Sequence, residues 1–271
     1  MNCSSRFSGR LALAFWLIGA SNSAAAPLII ELEVSSQRIR ARDPLYVKVT
    51  ITNSMTEPWK SERSIDAGSG LIGFQRRYKG HRWHRVRAQN EGLICSFPRQ
   101  PIKVEAGEKY VAYELLFRDK MLNEDFVFAY GNESMQLRAR VSYDRKFIWS
   151  EPVNIVVVPA PSAEEPLAEK VLPFRWLTIV GRLEATDDKN DQQKLIEELW
   201  QTRKELDPVT REVVTVRLAR FFFLQKEWDR LRAELARLPH RTTDRDSLLQ
   251  QLQTATAKDR HPVSPSSRSK K

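Results

Sequence analysis

The hydrophobic period of the chain changes at Pro159, and this change constrains the fold more than any other feature of the sequence. Before that proline, apolar residues recur at every second position in short runs, which is the pattern of strands with one buried face. After it, apolar residues recur at every third or fourth position, which is the pattern of amphipathic helices. The sequence therefore predicts a β-rich part followed by an all-α part.

Residues 27–159 contain eight runs of this alternating kind. Each run is expected to have one buried face and one exposed face, because successive side chains of a strand point to opposite sides. One-sided alternation favours antiparallel sheets packed face to face over a parallel sheet wrapped by helices. The runs are residues 28–34, 45–52, 72–78, 83–87, 102–105, 110–117, 135–143 and 153–158.

Four segments of this part resemble the strands of immunoglobulin-like and fibronectin-like β-sandwich modules of exported bacterial proteins. They are residues 43–53 (DPLYVKVTITN), 102–110 (IKVEAGEKY), 137–143 (LRARVSY) and 150–155 (SEPVNI). The resemblance implies an antiparallel sandwich over residues 27–159 and says little about function, because such folds host many unrelated roles. The sequence departs from the pattern in having no cysteine pair for an inter-sheet disulfide. Residues 131–135 (GNESM) also stand where such modules carry Pro-Gly-x-Tyr.

Residues 160–166 form a polar, proline-containing linker, and residues 167–257 predict five helices. Pro173 fits the first turn of the first helix, Asp187-Asp188 fit the cap of the second, and Asp207-Pro208 start the third. Residues 217–239 resemble a tetratricopeptide helix pair, with a Leu-Ala pair, an aromatic group, a short polar turn and a closing proline. About three such units normally stack together, so a small helical bundle docked on the sandwich is the alternative. Residues 258–271 predict a disordered basic tail.

The first 25 residues predict a secretory signal peptide. Arg6 and Arg10 precede an apolar run over residues 11–20, and small residues follow it at 23–26. The run is too short to span a bilayer as a helix, and no later segment resembles a membrane span. We therefore expect cleavage after Ala25, export to the periplasm or the exterior of the cell, and no transmembrane segment in the mature chain. An uncleaved anchor or a core helix is the alternative.

Export leaves the mature chain with one cysteine, Cys95, so no internal disulfide can form. Its apolar neighbours, Leu93, Ile94 and Phe97, favour a buried, inert thiol over a nucleophile or an intermolecular bridge.

Positive charge is concentrated in one predicted hairpin and in the C-terminal tail, residues 258–271. The formal net charge is +10, and residues 76–87 contain six basic residues and no acidic one. Arginine pairs bidentately with carboxylate or phosphate and stacks on aromatic rings, so this hairpin is the candidate site for an anionic partner. The alternative is a solvated outer face whose charges prevent edge-to-edge aggregation. The candidate binding residues are Arg76, Arg77, Tyr78, Lys79, Arg82, Trp83, Arg85 and Arg87.

The charge would suit nucleic acid, but the signal peptide argues against that partner and favours an anionic envelope polymer, lipid head groups or an acidic protein. The oligomeric state stays open. His81 and His84 are three residues apart, so on a strand they would face opposite ways and would not share a metal ion.

Motifs for catalysis or cofactor binding are missing from the sequence. It contains no His-Glu-x-x-His, no Gly-x-Ser-x-Gly, no phosphate-binding Gly-x-x-x-x-Gly-Lys-Ser/Thr and no Cys-x-x-Cys. We therefore expect no catalytic residue, no cofactor and no metal ion.

Three functions are compatible with these features. A non-catalytic exported binding protein is the first choice. The second is an inhibitor or accessory subunit of an exported hydrolase, acting through a loop in residues 57–70 or 95–101. The third is an enzyme whose catalytic residues are scattered in sequence.

Overall fold

The computed structural model describes residues 26–41, 43–88, 102–116, 118–119, 125–126, 133–159 and 172–260. The predicted signal peptide, Cys95 with its loop, the linker 160–166 and the tail beyond residue 260 lie outside these ranges. Within them the chain is mixed β and α, and all five helices lie in the C-terminal half.

All eight predicted runs form strands, and the described residues contain six further short ones. The strands are β1 (Leu28–Val34), β2 (Arg38–Arg40), β3 (Leu45–Asn53), β4 (Trp59–Ser61), β5 (Ile72–Tyr78), β6 (His84–Val86), β7 (Ile102–Val104), β8 (Lys109–Leu116), β9 (Arg118–Asp119), β10 (Asp125–Phe126), β11 (Glu133–Tyr143), β12 (Lys146–Trp149), β13 (Val153–Val158) and β14 (Arg241–Thr242).

Five helices follow β13. They are α1 (Leu172–Ala185), α2 (Lys189–Glu205), α3 (Pro208–Leu224), α4 (Trp228–Leu235) and α5 (Thr243–Arg260). The predicted helix starts are confirmed by capping: the Asp188 carboxylate accepts hydrogen bonds from the N–H groups of Asn190 and Asp191, and that of Asp207 accepts one from Thr210. α5 continues three residues beyond the predicted end at 257, into the segment predicted to be a disordered tail.

Two sheets enclose one apolar core. The first sheet has the order β1-β3-β8-β14, and the second has the order β2-β13-β11-β5-β6, with β12 also paired to β11. Leu28 and Val49 of the first sheet and Phe74 and Leu137 of the second are at most 1% exposed and belong to this core. Their alternation with polar residues explains why these runs form two facing layers.

Strand β3 is buried on both faces, which corrects the prediction that its second face is exposed. Tyr46 and Lys48, on the outer face, are 4% and 8% exposed. The cause is the helical part, which packs against the outer face of the first sheet. Tyr46 belongs to the helical core, and its ring centroid lies 5.3 Å from that of Trp176 on α1.

Polar contacts hold the same interface together. Lys48 Nζ lies 3.1 Å from Glu212 Oε2 on α3, and the Tyr113 hydroxyl of β8 donates a hydrogen bond to the same carboxylate. Burial, followed by the hydrogen bond and the charge of Glu212, raises the pKa of Tyr113 well above its usual range. The chain thus supplies a carboxylate for the lysine that it buries here.

Strand β14 connects the helical half to the first sheet. Arg241 and Thr242 pair in parallel with Tyr110 and Val111 of β8. The Arg241 guanidinium donates to Glu108 at 3.1 Å and to Asp246 at 2.6 Å. A two-residue strand has no detectable hydrophobic period, which explains why the sequence predicted residues 167–257 as helical throughout.

The helices pack in chain order, α1 against α2 and α3 against α4, while α3 also contacts α1 and α5. Val214 and Phe222 of α3 are fully buried. α3 is therefore covered on more than one side, as expected of a helix with two apolar stripes.

Candidate functional site

The outer face of the second sheet carries no helix in the part of the chain that the structure describes. We call it the arginine face, because six arginines lie on the side of its strands that points away from the core. Each alternates with buried residues such as Ile39, Phe74, Val86, Leu137 and Ala139. The six are Arg38 and Arg40 on β2, Arg77 on β5, Arg85 on β6, and Arg138 and Arg140 on β11.

This face is uniform in charge. Over the described strands of the second sheet, no aspartate or glutamate occupies an outward position between the strand ends. Asp43, a buried residue just beyond β2, accepts the Arg40 backbone N–H at 3.3 Å. The face therefore has a strong positive potential at neutral pH.

Aromatic rings hold two of the arginines in a stack. The Arg138 guanidinium carbon lies 4.1 Å from the ring centroid of Trp83 and 3.9 Å from that of Trp149. The Arg77 guanidinium carbon lies 4.6 Å from the Trp83 centroid. Cation–π contacts of this kind contribute about 0.5 to 2 kcal/mol each, depending on burial. They fix the direction in which the guanidinium edges point.

The hydrogen bonds of these two arginines go to neutral amides. Arg138 Nε and Nη2 donate to Gln75 Oε1 at 3.2 and 2.7 Å, and Arg77 Nη2 donates to Gln136 Oε1 at 2.6 Å. Neither arginine forms an ion pair with a residue of the described ranges. Their positive charges are oriented but not neutralised there.

Burial, and secondarily the nearby charge of Arg77, lowers the pKa of Arg138. Both guanidinium groups stack on Trp83, so two like charges are held close together. An anion placed between them would relieve their repulsion.

Arg140 extends the stack toward the edge of the sheet. Its guanidinium carbon lies 3.9 Å from the ring centroid of Phe147, and Phe147 meets Trp149 edge-on with centroids 6.3 Å apart. Gly73 lies beneath the Arg140 side chain: a Cβ atom at residue 73 would lie 2.7 Å from Arg140 Nε. The glycine thus leaves room for this arginine.

The predicted basic hairpin is present but does not form one surface. β5 and β6 pair antiparallel, and Gly80 in the turn has a φ of +81°, which favours glycine. The arginine face includes Arg77, Trp83 and Arg85 from the predicted set.

Arg76 and Tyr78 lie on the opposite side of β5, where the Arg76 guanidinium carbon is 5.5 Å from the Tyr78 ring. Lys79 and Arg82 are exposed at the turn, and half-buried Arg87 follows β6. The structure therefore divides the eight candidate residues among four locations.

Four of the six residues in the stack were not predicted from the sequence. Arg138, Arg140, Phe147 and Trp149 belong to β11 and β12, far from the hairpin in sequence. A signal was present in residues 137–141, where arginines alternate with apolar residues and so must point outward. The cross-strand register that brings Arg138 opposite Gln75 cannot be read from that pattern.

A second basic concavity lies in the helical half, with a volume of about 460 Å³. Its lining includes Trp200, Lys204 and Arg211 together with Arg203 and Arg237. The last two both pair with the buried Glu234, at 2.7 and 2.8 Å. Part of its charge is thus neutralised within the chain, unlike that of Arg77 and Arg138.

The first of the two candidate inhibitory loops packs against the β-sheets and is held there by buried side chains and a hydrogen bond. In residues 57–70, Ile65 and Ala67 are fully buried, and the Ala67 N–H donates to Glu114 Oε1 at 2.6 Å. Residues 95–101, the second loop, lie outside the described ranges.

Membrane-spanning helices and metal-ligand clusters are both absent from the described residues. None of their helices is both long and apolar enough to cross a membrane, and no three of their His, Cys, Asp and Glu residues are grouped as metal ligands.

No protein-family model and no curated protein matches the chain. Among solved structures, it is similar to the sporulation control protein Spo0M from Bacillus subtilis, with 11% identity and a TM-score of 0.30 over 59% of this chain and 55% of that one. It is also similar to the alkylpurine DNA glycosylase AlkC from Pseudomonas fluorescens, with 11% identity and a TM-score of 0.30 over 49% and 31% of the two chains. At such TM-scores neither likeness supports an argument about fold or function.

Proposed function

We propose that this protein is a non-catalytic, exported binding protein that uses the arginine face to hold an anionic partner. The observation that carries the proposal is the stack of Arg77, Trp83, Arg138 and Trp149, in which two guanidiniums are oriented by rings and amides rather than by carboxylates. Fixed guanidinium edges suit carboxylate or phosphate oxygens, which accept two parallel N–H groups.

Ion-exchange retention tests the proposal. In the face variant, Arg77, Arg138 and Arg140 are all replaced by Gln. In the control variant, the exposed helical residues Arg182, Lys204 and Arg232 are replaced by Gln, so that both variants lose three positive charges.

On phosphocellulose we expect the face variant to elute at a clearly lower salt concentration than the control variant, because only it loses a convergent set of donors. Lys204 lines the helical concavity, so the control also tests that alternative. Equal elution of the two variants, or earlier elution of the control, would remove the arginine face from this role.

Export is a separate part of the proposal, supported by the pattern of residues 1–25. The intact mass of the protein recovered from the cell envelope is expected to correspond to a chain that begins at Ala26. A cytosolic product that retains its first 25 residues would contradict export.

The finer fold assignment is also a proposal: the two-sheet body is an immunoglobulin-like sandwich, and α3 with α4 is a tetratricopeptide-like pair. Antiparallel pairing along β1-β3-β8 and along β13-β11-β5-β6 supports the first. The short connection between α3 and α4 supports the second.

A further inference from the structure

We infer that the partner of the arginine face is a linear polyanion, a polymer with a phosphate or carboxylate on each repeat, that lies across the strands of the second sheet. This inference rests on the proposed function and adds the class of partner to it.

The spread of the arginines is the first argument. Arg38 on β2 and Arg85 on β6 lie on opposite edge strands of a five-strand order. Neighbouring strands are about 4.8 Å apart, so the two edges are separated by roughly 19 Å. A bidentate guanidinium binds two oxygens of the same phosphate or carboxylate, so one anionic group covers only a small part of this width. Arginines spread across the sheet, such as Arg38 and Arg40 on β2, Arg138 on β11 and Arg77 on β5, therefore match several anionic groups in a row.

The aromatic rings supply the second argument. Trp83, Trp149 and Phe147 each already have a guanidinium within 4.6 Å of the ring centroid. Neutral sugars bind proteins largely by stacking on open ring faces. Here the rings orient arginines instead, so the groups that meet the partner are N–H donors, which favours an anionic polymer over a neutral one.

The uniform sign of the face is the third argument. Interfaces with folded proteins pair patches of both signs around a less charged centre. The central strands β11 and β5 of this face carry Arg138, Arg140 and Arg77 at outward positions and no carboxylate there. A partner with repeated charge of one sign complements this arrangement better than an acidic protein surface does.

A membrane surface is disfavoured by the placement of apolar groups. The exposed large hydrophobic side chains of this face are Phe147 and Val156, on different strands. Arg140 stacks on one face of the Phe147 ring, and Val156 lies on another strand, so Phe147 and Val156 do not form the continuous apolar strip that a surface-bound protein inserts among lipids.

The test measures affinity against polymer length. The probes are linear polyphosphates of increasing length for phosphate, polygalacturonate for carboxylate, and inorganic phosphate and dextran as comparisons, all measured by isothermal titration at equal anion concentration. At low salt we expect the longest polyphosphates to bind at least a hundredfold more tightly than inorganic phosphate. Binding should weaken about a hundredfold between 50 and 200 mM salt if about four contacts form.

The two variants test whether the polymer binds at the arginine face. The face variant is expected to lose at least tenfold in affinity for long polyphosphate, whereas the control variant stays within about threefold, and circular dichroism checks that both are folded.

Three outcomes would overturn the inference. If the affinity per phosphate does not depend on chain length, the arginine face is a site for single anions. The proposed function would then stand, but the inference of a polymeric partner would be wrong. Tighter binding to anionic lipid vesicles than to polyphosphate at equal anion concentration would assign the face to membranes. Absence of binding to every probe, together with equal elution of the two variants from phosphocellulose, would remove both the polymer and the proposed function.

Discussion

The outer faces of the two sheets differ in the groups that contact their positively charged side chains. On the first sheet, Lys48 is buried beneath the helices and Glu212 of α3 lies 3.1 Å from its ammonium group. On the second sheet, Arg77 and Arg138 contact amides and rings, and no helix of the described residues covers them. The two faces share a core and a strand geometry, yet among the described residues a carboxylate pairs with Lys48 on the first face and none pairs with Arg77 or Arg138 on the second.

This difference separates a structural face from the face that we propose binds a partner. Burying a cation is costly unless an opposite charge accompanies it. Where the chain packs on itself, it therefore provides the carboxylate. Where the described residues provide none and rings orient the cations, as for Arg77 and Arg138, we propose that an external anion completes the site.

The largest expected effect on stability is at the covered face, which is the outer face of the first sheet beneath the helices. Trp176 is 1% exposed, so its replacement by Ala should destabilise the protein by about 3 to 5 kcal/mol in urea unfolding. Trp149→Ala on the arginine face should cost about 1 kcal/mol, because it mainly removes cation–π contacts. It should also weaken binding of polyphosphate. Equal losses of stability would break the contrast between the two faces.

The next effect concerns the charge pair under the helices. Glu212→Gln leaves the Lys48 ammonium with Glu33 at 3.6 Å and weakens the hydrogen bond from Tyr113. We expect a loss of about 2 kcal/mol in the free energy of unfolding. Glu198→Gln is the matched control, since the Glu198–Arg175 pair is exposed and should contribute less than about 0.5 kcal/mol. A loss of stability for Glu198→Gln as large as that for Glu212→Gln would show that burial does not determine how much each ion pair contributes to stability.

Alkaline pH should lower the stability of the protein through the buried tyrosines of the covered face. Burial is the main cause that raises the pKa of Tyr46 and Tyr113 above 10.0, their value in an unfolded chain. Stability from a raised pKa is complete below the unfolded value and is lost as pH rises above it. The free energy of unfolding should therefore fall above about pH 10.

Tyr113→Phe should make that fall less steep, while Tyr143→Phe, on the second sheet, serves as the control. Urea unfolding between pH 8 and pH 11 measures both. Identical pH slopes for the wild type and Tyr113→Phe would exclude this tyrosine as a source of the effect.

The smallest expected change in stability is on the arginine face. Gly73→Ala should displace Arg140, whose Nε lies 2.7 Å from the position of the new Cβ atom. The side chain can move into solvent, so stability should change by less than about 1 kcal/mol, while affinity for polyphosphate falls about threefold. Gly181→Ala, which places a Cβ in open space on α1, is the control and should leave binding unchanged.

The sequence was enough to predict the strands of the core but not the residues that contact their outer faces. Alternation in residues 28–34 and 45–52 was enough to predict β1 and β3, because one buried face imposes a period of two. The same alternation could not show that Lys48 is buried, since the covering residue Glu212 lies more than 160 positions away. Long-range pairing of this kind is set by tertiary packing and not by local pattern.

Prediction of the candidate site failed for a related reason. The dense charge in residues 76–87 identified Arg77, Trp83 and Arg85 but also included Arg76, which faces the other side of β5. Arg138 could not be joined to this group without the register of β5 on β11. Short strands such as β12 and β14 left no period to detect, although β12 provides Trp149.

Strand β14 has a consequence for the order in which the protein is made. Two residues at the edge of β8, Tyr110 and Val111, pair with Arg241 and Thr242, which follow them by about 130 positions. Until the ribosome has synthesised these two residues, that edge presents unpaired backbone groups that could recruit a strand of another molecule. A nascent chain truncated before residue 241 would therefore be prone to aggregation, and its β part would reach a protected state only after β14 had emerged.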